Sequence, residues 1–468
     1  MESTTVWQIL CALPAKALLE IEKMTISPFF NQRDDVAALF RCLKKAIRSK
    51  SAPSREQLFT LLWPGKAFNS ADFRLALHFL QQVVFQYLAY KKAVENEAQQ
   101  VLLLSQSLRD LSLDHIAQQV LSKSEEAITA NNRQDPDTQE LRFQFFVESL
   151  KSSGSGGSRS RNLNLQNLST QLDNAFILRK LKTSCELLSH QAVIKVEYNY
   201  GILPTMLDYI ENDPDIQQMP EVMLYYNCYL ALKKPGEPQY FQAMKPVLME
   251  VESMFQPSEC RDIVLLALNY CIRRLNAGDS NFAREGLELY ANALEKGYLL
   301  EKGELDRFTF RNVVAMGLMM NSYDWVERFI DTYSVQIAVP YRESMVSFSR
   351  ARLEYSRKRY PEAMVLLQKA DYEDLLLNLA AKTLLMKIYY ESDENRLLES
   401  LLDSMSIFLR RKKVIGYHKQ NYQNIVKYGR RLLALNRFDV QAIVALRQAV
   451  QEETHLTERL WFLEQLTT

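Results

Sequence analysis

The chain has 468 residues, of which 47% are hydrophobic and 24% charged, and its formal net charge is +1. This balance allows a large buried core and excludes extensive disorder. Leucine is abundant at 69 residues, whereas there are only 13 glycines and 14 prolines. Because β-sandwiches, barrels and propellers need turn residues at short intervals, the composition excludes them and predicts an all-α fold.

The first 150 residues show helical periodicity almost throughout. In Asp34–Arg48 the apolar residues recur at a spacing of 3.6, which predicts one amphipathic helix. Ser54 is the predicted N-cap of a short helix, and Ser70 the predicted N-cap of a long helix that runs to about Tyr90. These elements predict an N-terminal helical bundle over residues 1–151.

The long helix that follows Ser70 also resembles the second helix of a helix-turn-helix motif, which would place it in the major groove of DNA. Its cations near the start are only Arg74 and His78. A groove-reading helix needs polar and cationic side chains along its exposed face. The sequence therefore favours a core helix here.

A serine- and glycine-rich segment, SSGSGGSRSR, occupies residues 152–161 and holds three of the 13 glycines. Such a composition is typical of a flexible linker. We therefore expect residues 152–161 to separate the N-terminal bundle from a second domain over residues 162–468.

The second domain contains an internal repetition. A short loop followed by the start of a helix recurs about every 40 residues, at Phe241, Phe282, Tyr323, Tyr360, Asn395 and Phe438. This distance is the length of two helices and two turns. Because one helical hairpin cannot bury its apolar face alone, neighbouring hairpins are expected to stack on each other.

The segment Arg350–Ala370 resembles the second half of a tetratricopeptide repeat, with Tyr360, Ala363 and Ala370 at the positions of its aromatic and small residues. Lys382–Met405 is similar to the same template. The resemblance implies that the C-terminal half is a TPR-like α-solenoid of degenerate helical hairpins with one concave face. The whole chain also resembles uncharacterised all-helical bacterial proteins, a resemblance that implies no function.

Motifs for catalysis and for cofactor or metal binding are missing from the sequence. It has no GxxxxGK[ST], no HExxH and no CxxC, and its five histidines are dispersed. His418 lies on the apolar side of its predicted helix, which favours a packed histidine over a ligand. We expect a protein that is not an enzyme and has no cofactor.

The six cysteines are scattered, which favours free thiols in a reducing compartment, and the longest apolar run has eight residues. A membrane-spanning helix needs about 20. These features predict a cytoplasmic protein without a transmembrane segment.

The strongest charge asymmetry is an acid-free segment, residues 404–438, in which nine cations occur without an aspartate or glutamate. It is interpreted either as a solvated basic face or as a docking surface for an acidic partner, nucleic acid or an anionic membrane. The candidate partner-binding residues are Arg410, Arg411, Lys412, Lys413, Lys419, Lys427, Arg430 and Arg431.

These observations together favour a non-enzymatic protein-binding scaffold or adaptor whose partner is a protein or peptide, including an acidic one. Tyr225, Tyr226 and Tyr229 are candidates for a tyrosine-rich contact surface, with core packing as the alternative. The second hypothesis is a nucleic-acid-associated regulator that uses residues 404–438. A near-neutral isoelectric point of about 7.6 argues against that hypothesis.

Overall fold

The computed structural model describes residues 1–130, 133–154, 165–194, 196–369, 374–411 and 417–467. Within this part of the chain, 24 α-helices account for nearly all of the regular structure, together with one ribbon of two very short strands. The all-α fold predicted from the composition is therefore confirmed.

The chain divides into two compact units, Met1–Phe176 and Ile177–Thr468, and the division falls within α9 (Leu165–Ile194). Most of the predicted linker, including Gly156, Gly157, Arg159 and Arg161, lies outside the described residues. The flexible linker over residues 152–161, and the domain boundaries drawn from it, therefore remain a prediction.

The first unit is a helical bundle. Before α9, its helices are α1 (Thr5–Ala12), α2 (Ala15–Ile26), α3 (Asp34–Arg48), α4 (Arg55–Leu62), α5 (Ser70–Glu95), α6 (Glu97–Asp110), α7 (Asp114–Ala130) and α8 (Pro136–Gly154).

The helix ends in this unit follow local sequence signals. α3 begins with two acidic residues and ends with basic ones, and its apolar stripe is buried as the periodicity predicts. Ser54 caps α4 through a capping box with Gln57, in which each residue bonds the backbone of the other. α5 is longer than predicted, and Asn69 rather than Ser70 provides its N-cap.

The helices of the second unit that follow α9 are α10 (Leu203–Asn212), α11 (Pro214–Gln217), α12 (Pro220–Lys233), α13 (Gln239–Met249), α14 (Pro257–Asn276), α15 (Phe282–Glu295), α16 (Arg307–Met319), α17 (Tyr323–Tyr333), α18 (Val339–Ser356), α19 (Tyr360–Lys369), α20 (Leu375–Glu391), α21 (Asn395–Arg411), α22 (Tyr417–Leu433), α23 (Val440–Glu452) and α24 (Arg459–Gln465). The ribbon consists of β1 (Leu300–Glu301) and β2 (Glu304–Leu305), which pair antiparallel between α15 and α16.

Consecutive helices of this unit pack in pairs, among them α16 with α17, α18 with α19 and α20 with α21. The first helices of successive pairs are also neighbours: α16 contacts α18, α18 contacts α20, and α20 contacts α22. Helices begin at Phe282, Tyr323, Tyr360 and Asn395, four of the positions at which the sequence repeats. Because α16, α18, α20 and α22 are neighbours in this order, their side chains lie beside one another.

Two glycines allow the helices around α16 to approach closely. A Cβ atom at Gly286 of α15 would lie 2.6 Å from Met316 Sδ, and one at Gly317 of α16 would overlap Val326 Cγ2 of α17. Such distances are far below ordinary van der Waals contact. Packing against the stiff, β-branched Val326 therefore favours glycine at position 317, whereas at Gly286 the flexible end of the Met316 side chain would have to move.

The tyrosines proposed as a contact surface belong to the core. Tyr225, Tyr226 and Tyr229 on α12 expose only 1%, 7% and 5% of their surface. Their interpretation as core residues is confirmed, and a tyrosine-rich binding face at α12 is wrong. α12 is buried around most of its circumference, so its aromatic residues pack inward.

No helix among the described residues is long and apolar enough to cross a membrane. All six cysteines lie in this part of the chain as free thiols, four of them buried.

Candidate functional site

The acid-free segment forms an exposed basic surface, defined here as Arg410 and Arg411 of α21 and Lys419, Lys427, Arg430 and Arg431 of α22. All six side chains are exposed. Lys412 and Lys413, the other two predicted residues, lie outside the described residues.

Acidic residues from outside the segment reach this basic surface. Arg430 donates to Asp403 Oδ1 at 2.7 Å and to Ser406 Oγ at 3.1 Å. Lys427 Nζ lies 3.6 Å from Glu453 Oε2, a residue of the next pair of helices. Acidic residues from outside residues 404–438 therefore neutralise part of a surface whose own segment contains cations and no acid.

A second cationic feature is a cavity of about 490 Å³ on the side of the first helices, which we call the cationic cavity. It is lined by residues of α16, α18, α20 and α22 and by the segment before α24. Its arginine, lysine, histidine and acidic residues are Arg311, Arg352, Lys387, His418 and Glu458. Its apolar wall includes Leu318, Phe348 and Leu384. This volume and this mixture of apolar walls with a few polar groups are typical of ligand sites.

Two arginines of the cavity have no acidic partner. Among the residues that the structure describes, Arg311 and Arg352 form neither a hydrogen bond nor an ion pair. Arg311 makes only a cation–π contact, with its guanidinium carbon 5.6 Å from the centre of the Phe308 ring. The cavity therefore contains two guanidinium groups whose donors are unused by the protein.

Arg352 lies on a helix whose neighbouring positions belong to the core. Ala351 and Leu353 are 0% and 1% exposed, whereas Arg352 is half-buried and reaches the cavity. Burial lowers the pKa of Arg352 below its ordinary value of 12.5; the charge of Arg311 acts in the same direction and that of Glu458 opposes it. The charged guanidinium is thus held in a site that disfavours positive charge.

The third cation of the cavity has a partner. Lys387 forms an ion pair with Glu458, and the two side chains are only 15% and 29% exposed. Burial alone would raise the pKa of Glu458, but Lys387 and, to a smaller extent, Arg352 lower it below its ordinary value of 4.5. Glu458 is therefore an ionised carboxylate inside the cavity.

The segment that carries Glu458 is fixed to α22. Thr457 N–H donates to Asn421 Oδ1 at 2.8 Å, and Asn424 Nδ2 donates to the carbonyl oxygen of His455 at 3.0 Å. Asn421 and Asn424 are both buried. The C-terminal segment thus forms one boundary of the cavity through specific backbone contacts.

A buried carboxylate next to the cavity connects three elements. Glu391, at the end of α20, accepts hydrogen bonds from the hydroxyls of Tyr355 and Tyr360, from Trp461 Nε1 at 2.8 Å and from Lys358 Nζ at 3.0 Å. Burial opposes ionisation, but these four donors lower the pKa of Glu391. Burial, together with this carboxylate, raises the pKa of Tyr355, whose side chain also lines the cavity.

A cavity of about 570 Å³ among α17, α18 and α19 offers a contrast. Arg350 on its wall pairs with Asp331 at 2.6 Å, and Arg359 pairs with Glu354 at 3.4 Å. Although this cavity is larger, its arginines are already neutralised by its own acids. Among the described residues, no group of histidine, cysteine, aspartate and glutamate is arranged to hold a metal ion.

The prediction for His418 was wrong, because its side chain is exposed and lines the cationic cavity instead of packing in the core. The sequence analysis also missed Arg311, Arg352 and Lys387. They lie 41 and 35 residues apart, distances within the range of the repeating helix starts. The recurrence of cations at the repeat spacing is the sequence pattern from which this site could have been predicted.

No family model, curated protein sequence or solved structure matches the chain. The site is therefore interpreted from its own geometry.

Proposed function

We propose that this chain is a non-enzymatic, cytoplasmic scaffold or adaptor that binds a segment of another polypeptide. Its C-terminal half would be an α-solenoid of TPR-like helical hairpins. The proposal is supported most directly by one observation: four alternate helices, α16, α18, α20 and α22, line a single cavity that contains two arginines without an ion pair among the described residues.

The arrangement of the helices fits such a role. Stacked helical pairs create a continuous surface along their first helices, and proteins of this architecture bind extended ligands there. The cationic cavity has apolar walls and unsatisfied donors side by side, as a polypeptide with apolar and acidic residues requires.

The second candidate is a nucleic-acid-associated regulator, which is favoured by the exposure of Arg410, Arg411, Lys419 and Arg431 on the basic surface. Nucleic-acid binding depends on many exposed cations that contact phosphates, and its affinity falls steeply with salt. The ion pairs of Lys427 and Arg430 reduce the free charge of this surface.

The two candidates are separated by affinity capture from an extract of the cells that produce the protein, in mild salt, with and without nuclease. The matched variant replaces all six residues of the basic surface by glutamine. We expect the wild type and this variant to retain the same proteins after nuclease treatment. Capture that disappears with nuclease or in the variant would favour the nucleic-acid regulator. Failure of the wild type and of the variant to capture any protein would contradict the adaptor.

A further inference from the structure

The cationic cavity is only partly neutralised by the protein itself. Lys387 is paired with Glu458, but among the described residues Arg311 and Arg352 form no ion pair. Glu458 favours the charge of Arg352 only at longer range, and the charge of Arg311 disfavours it. Charges removed from water are normally paired or bonded. An additional anion would therefore remove an unfavourable electrostatic interaction that the free protein contains.

The C-terminal segment provides an example of the anion that fits. Thr457 and Glu458 line the cavity, and the segment is held by a backbone N–H bond to Asn421 and by the carboxylate of Glu458 on Lys387. A stretch of polypeptide with a glutamate thus already lines the cavity and pairs with one of its cations. Among the described residues, Arg311 and Arg352 form no such ion pair.

We propose that Arg311 and Arg352 bind the carboxylate of an acidic side chain from a partner polypeptide, with an adjacent apolar residue against Leu318, Phe348 and Leu384. The inference rests on the proposed polypeptide-binding function and adds the chemistry of the ligand. Guanidinium groups match carboxylates because their N–H donors form a planar fork that bonds both oxygens. The pairing of Lys387 leaves the two arginines as the recognition residues.

The cavity disfavours nucleic acid as its ligand. A volume of about 490 Å³ accommodates a few side chains, whereas a DNA duplex needs an open surface because its major groove alone is about 12 Å wide. Glu458 also places a negative charge within the cavity, which repels a chain of phosphates. A single carboxylate carries less negative charge than a chain of phosphates and is repelled less.

Fluorescence anisotropy of the full chain with a labelled peptide tests the inference. The probe is a ten-residue peptide with four glutamates among leucines and serines, and its matched control has glutamine at the four positions. We expect the glutamine peptide to bind at least tenfold more weakly. Arg311→Gln and Arg352→Gln should each weaken binding of the glutamate peptide about tenfold or more.

Matched variants distinguish peptide binding in the cavity from a general effect of the protein's charge on peptide affinity. Arg350→Gln removes a cation two residues from Arg352 on the same helix, where it pairs with Asp331, and should change the affinity less than twofold. Glu458→Gln frees Lys387 and should strengthen binding severalfold. Arg352→Lys keeps the charge without the planar fork and should bind more weakly than the wild type but more tightly than Arg352→Gln. It also serves as the test if Arg352→Gln loses helical circular dichroism.

Four results would overturn the inference. If the glutamate and glutamine peptides bind equally, or if Arg352→Gln and Arg352→Lys both match the wild type, the ligand is not a carboxylate at this site, while the polypeptide-binding function stands. Failure of the wild type to bind the glutamate peptide at millimolar concentration would also exclude it. Binding of a ten-nucleotide thymidine strand that is lost in Arg352→Gln, without peptide binding, would overturn both proposals.

Discussion

The basic surface and the cationic cavity differ in how their charges are neutralised. On the basic surface, cations exposed to water are met by acids from other elements, such as Asp403 at Arg430 and Glu453 at Lys427. In the cavity, Arg311 and Arg352 are partly removed from water and have no acid. Lys427 and Arg430 thus have acidic partners although water already solvates their charges, whereas Arg311 and Arg352 have no ion pair in the described part of the chain although burial makes a partner more favourable there.

This difference shows which charges have consequences for stability and binding. Exposed ion pairs contribute about 0–1 kcal/mol each because water and salt screen them. Recessed charges interact more strongly because the surrounding protein has a lower dielectric constant. We therefore expect changes around the cavity to have large effects and changes on the basic surface to have small ones.

The largest effect on stability is expected for Glu391→Ala. This change leaves the hydroxyls of Tyr355 and Tyr360 and the Trp461 N–H without their acceptor. Removal of the acceptor from a buried hydrogen-bond network, with its donors left in place, lowers the free energy of unfolding by about 3 kcal/mol or more. Urea denaturation measures this cost, with the exposed Glu399→Ala as the control. A loss below about 1 kcal/mol would show that burial does not strengthen electrostatic contacts here.

A smaller loss is expected for Gly317→Ala, which tests the helix that carries Arg311. The added Cβ would overlap Val326 and separate α16 from α17, and overpacking of this kind costs about 1–3 kcal/mol. Gly236→Ala is the matched control, because a Cβ there meets no atom within 4 Å. Equal unfolding free energies for the two variants would contradict the close approach of these helices.

The dependence of stability on pH should reflect the buried carboxylates. The pKa values of Glu391 and Glu458 lie below the ordinary value of 4.5, so the folded state binds their protons more weakly than the unfolded state. Their contribution is fully present above about pH 4.5 and is lost as the pH falls through the folded-state values. The midpoint temperature of thermal unfolding should fall less between pH 7 and pH 3 for Glu391→Gln than for the wild type. An identical decline would contradict the stabilised carboxylate.

The smallest effect is expected on the basic surface. Asp403→Asn removes the partner of Arg430, but the two side chains are 63% and 50% exposed. The loss of unfolding free energy should be about 0.5 kcal/mol or less. Urea denaturation at low and high salt measures this loss. A loss above about 1 kcal/mol at low salt would show that ion pairs on the exposed surface are as strong as those around the cavity.

The all-helical fold was predictable because helices are determined largely by local composition and periodicity. α3 spans the predicted Asp34–Arg48, and Ser54 caps α4 as expected. α5, in contrast, runs on to Glu95, although the sequence predicted an end near Tyr90. Helix ends depend on the final hydrogen bonds of each terminus and are therefore less certain than the helices themselves.

The cavity was not predictable in the same way because it depends on contacts between distant helices. His418 lies near the start of α22 and lines the cavity together with residues of α16, α18 and α20, and a projection of one isolated helix does not show this. Likewise, the acids that reach Lys427 and Arg430 lie outside residues 404–438. A count of charges within a window of sequence does not include partners that the fold supplies.

The most direct test of the account compares two double variants that lose the same charge. The affinity of the four-glutamate peptide is measured for Arg311→Gln/Arg352→Gln in the cavity and for Arg410→Gln/Arg411→Gln on the basic surface, against the wild type. The account predicts a loss of well over tenfold for the cavity variant and less than twofold for the surface variant. Equal losses, or a larger loss for the surface variant, would contradict it.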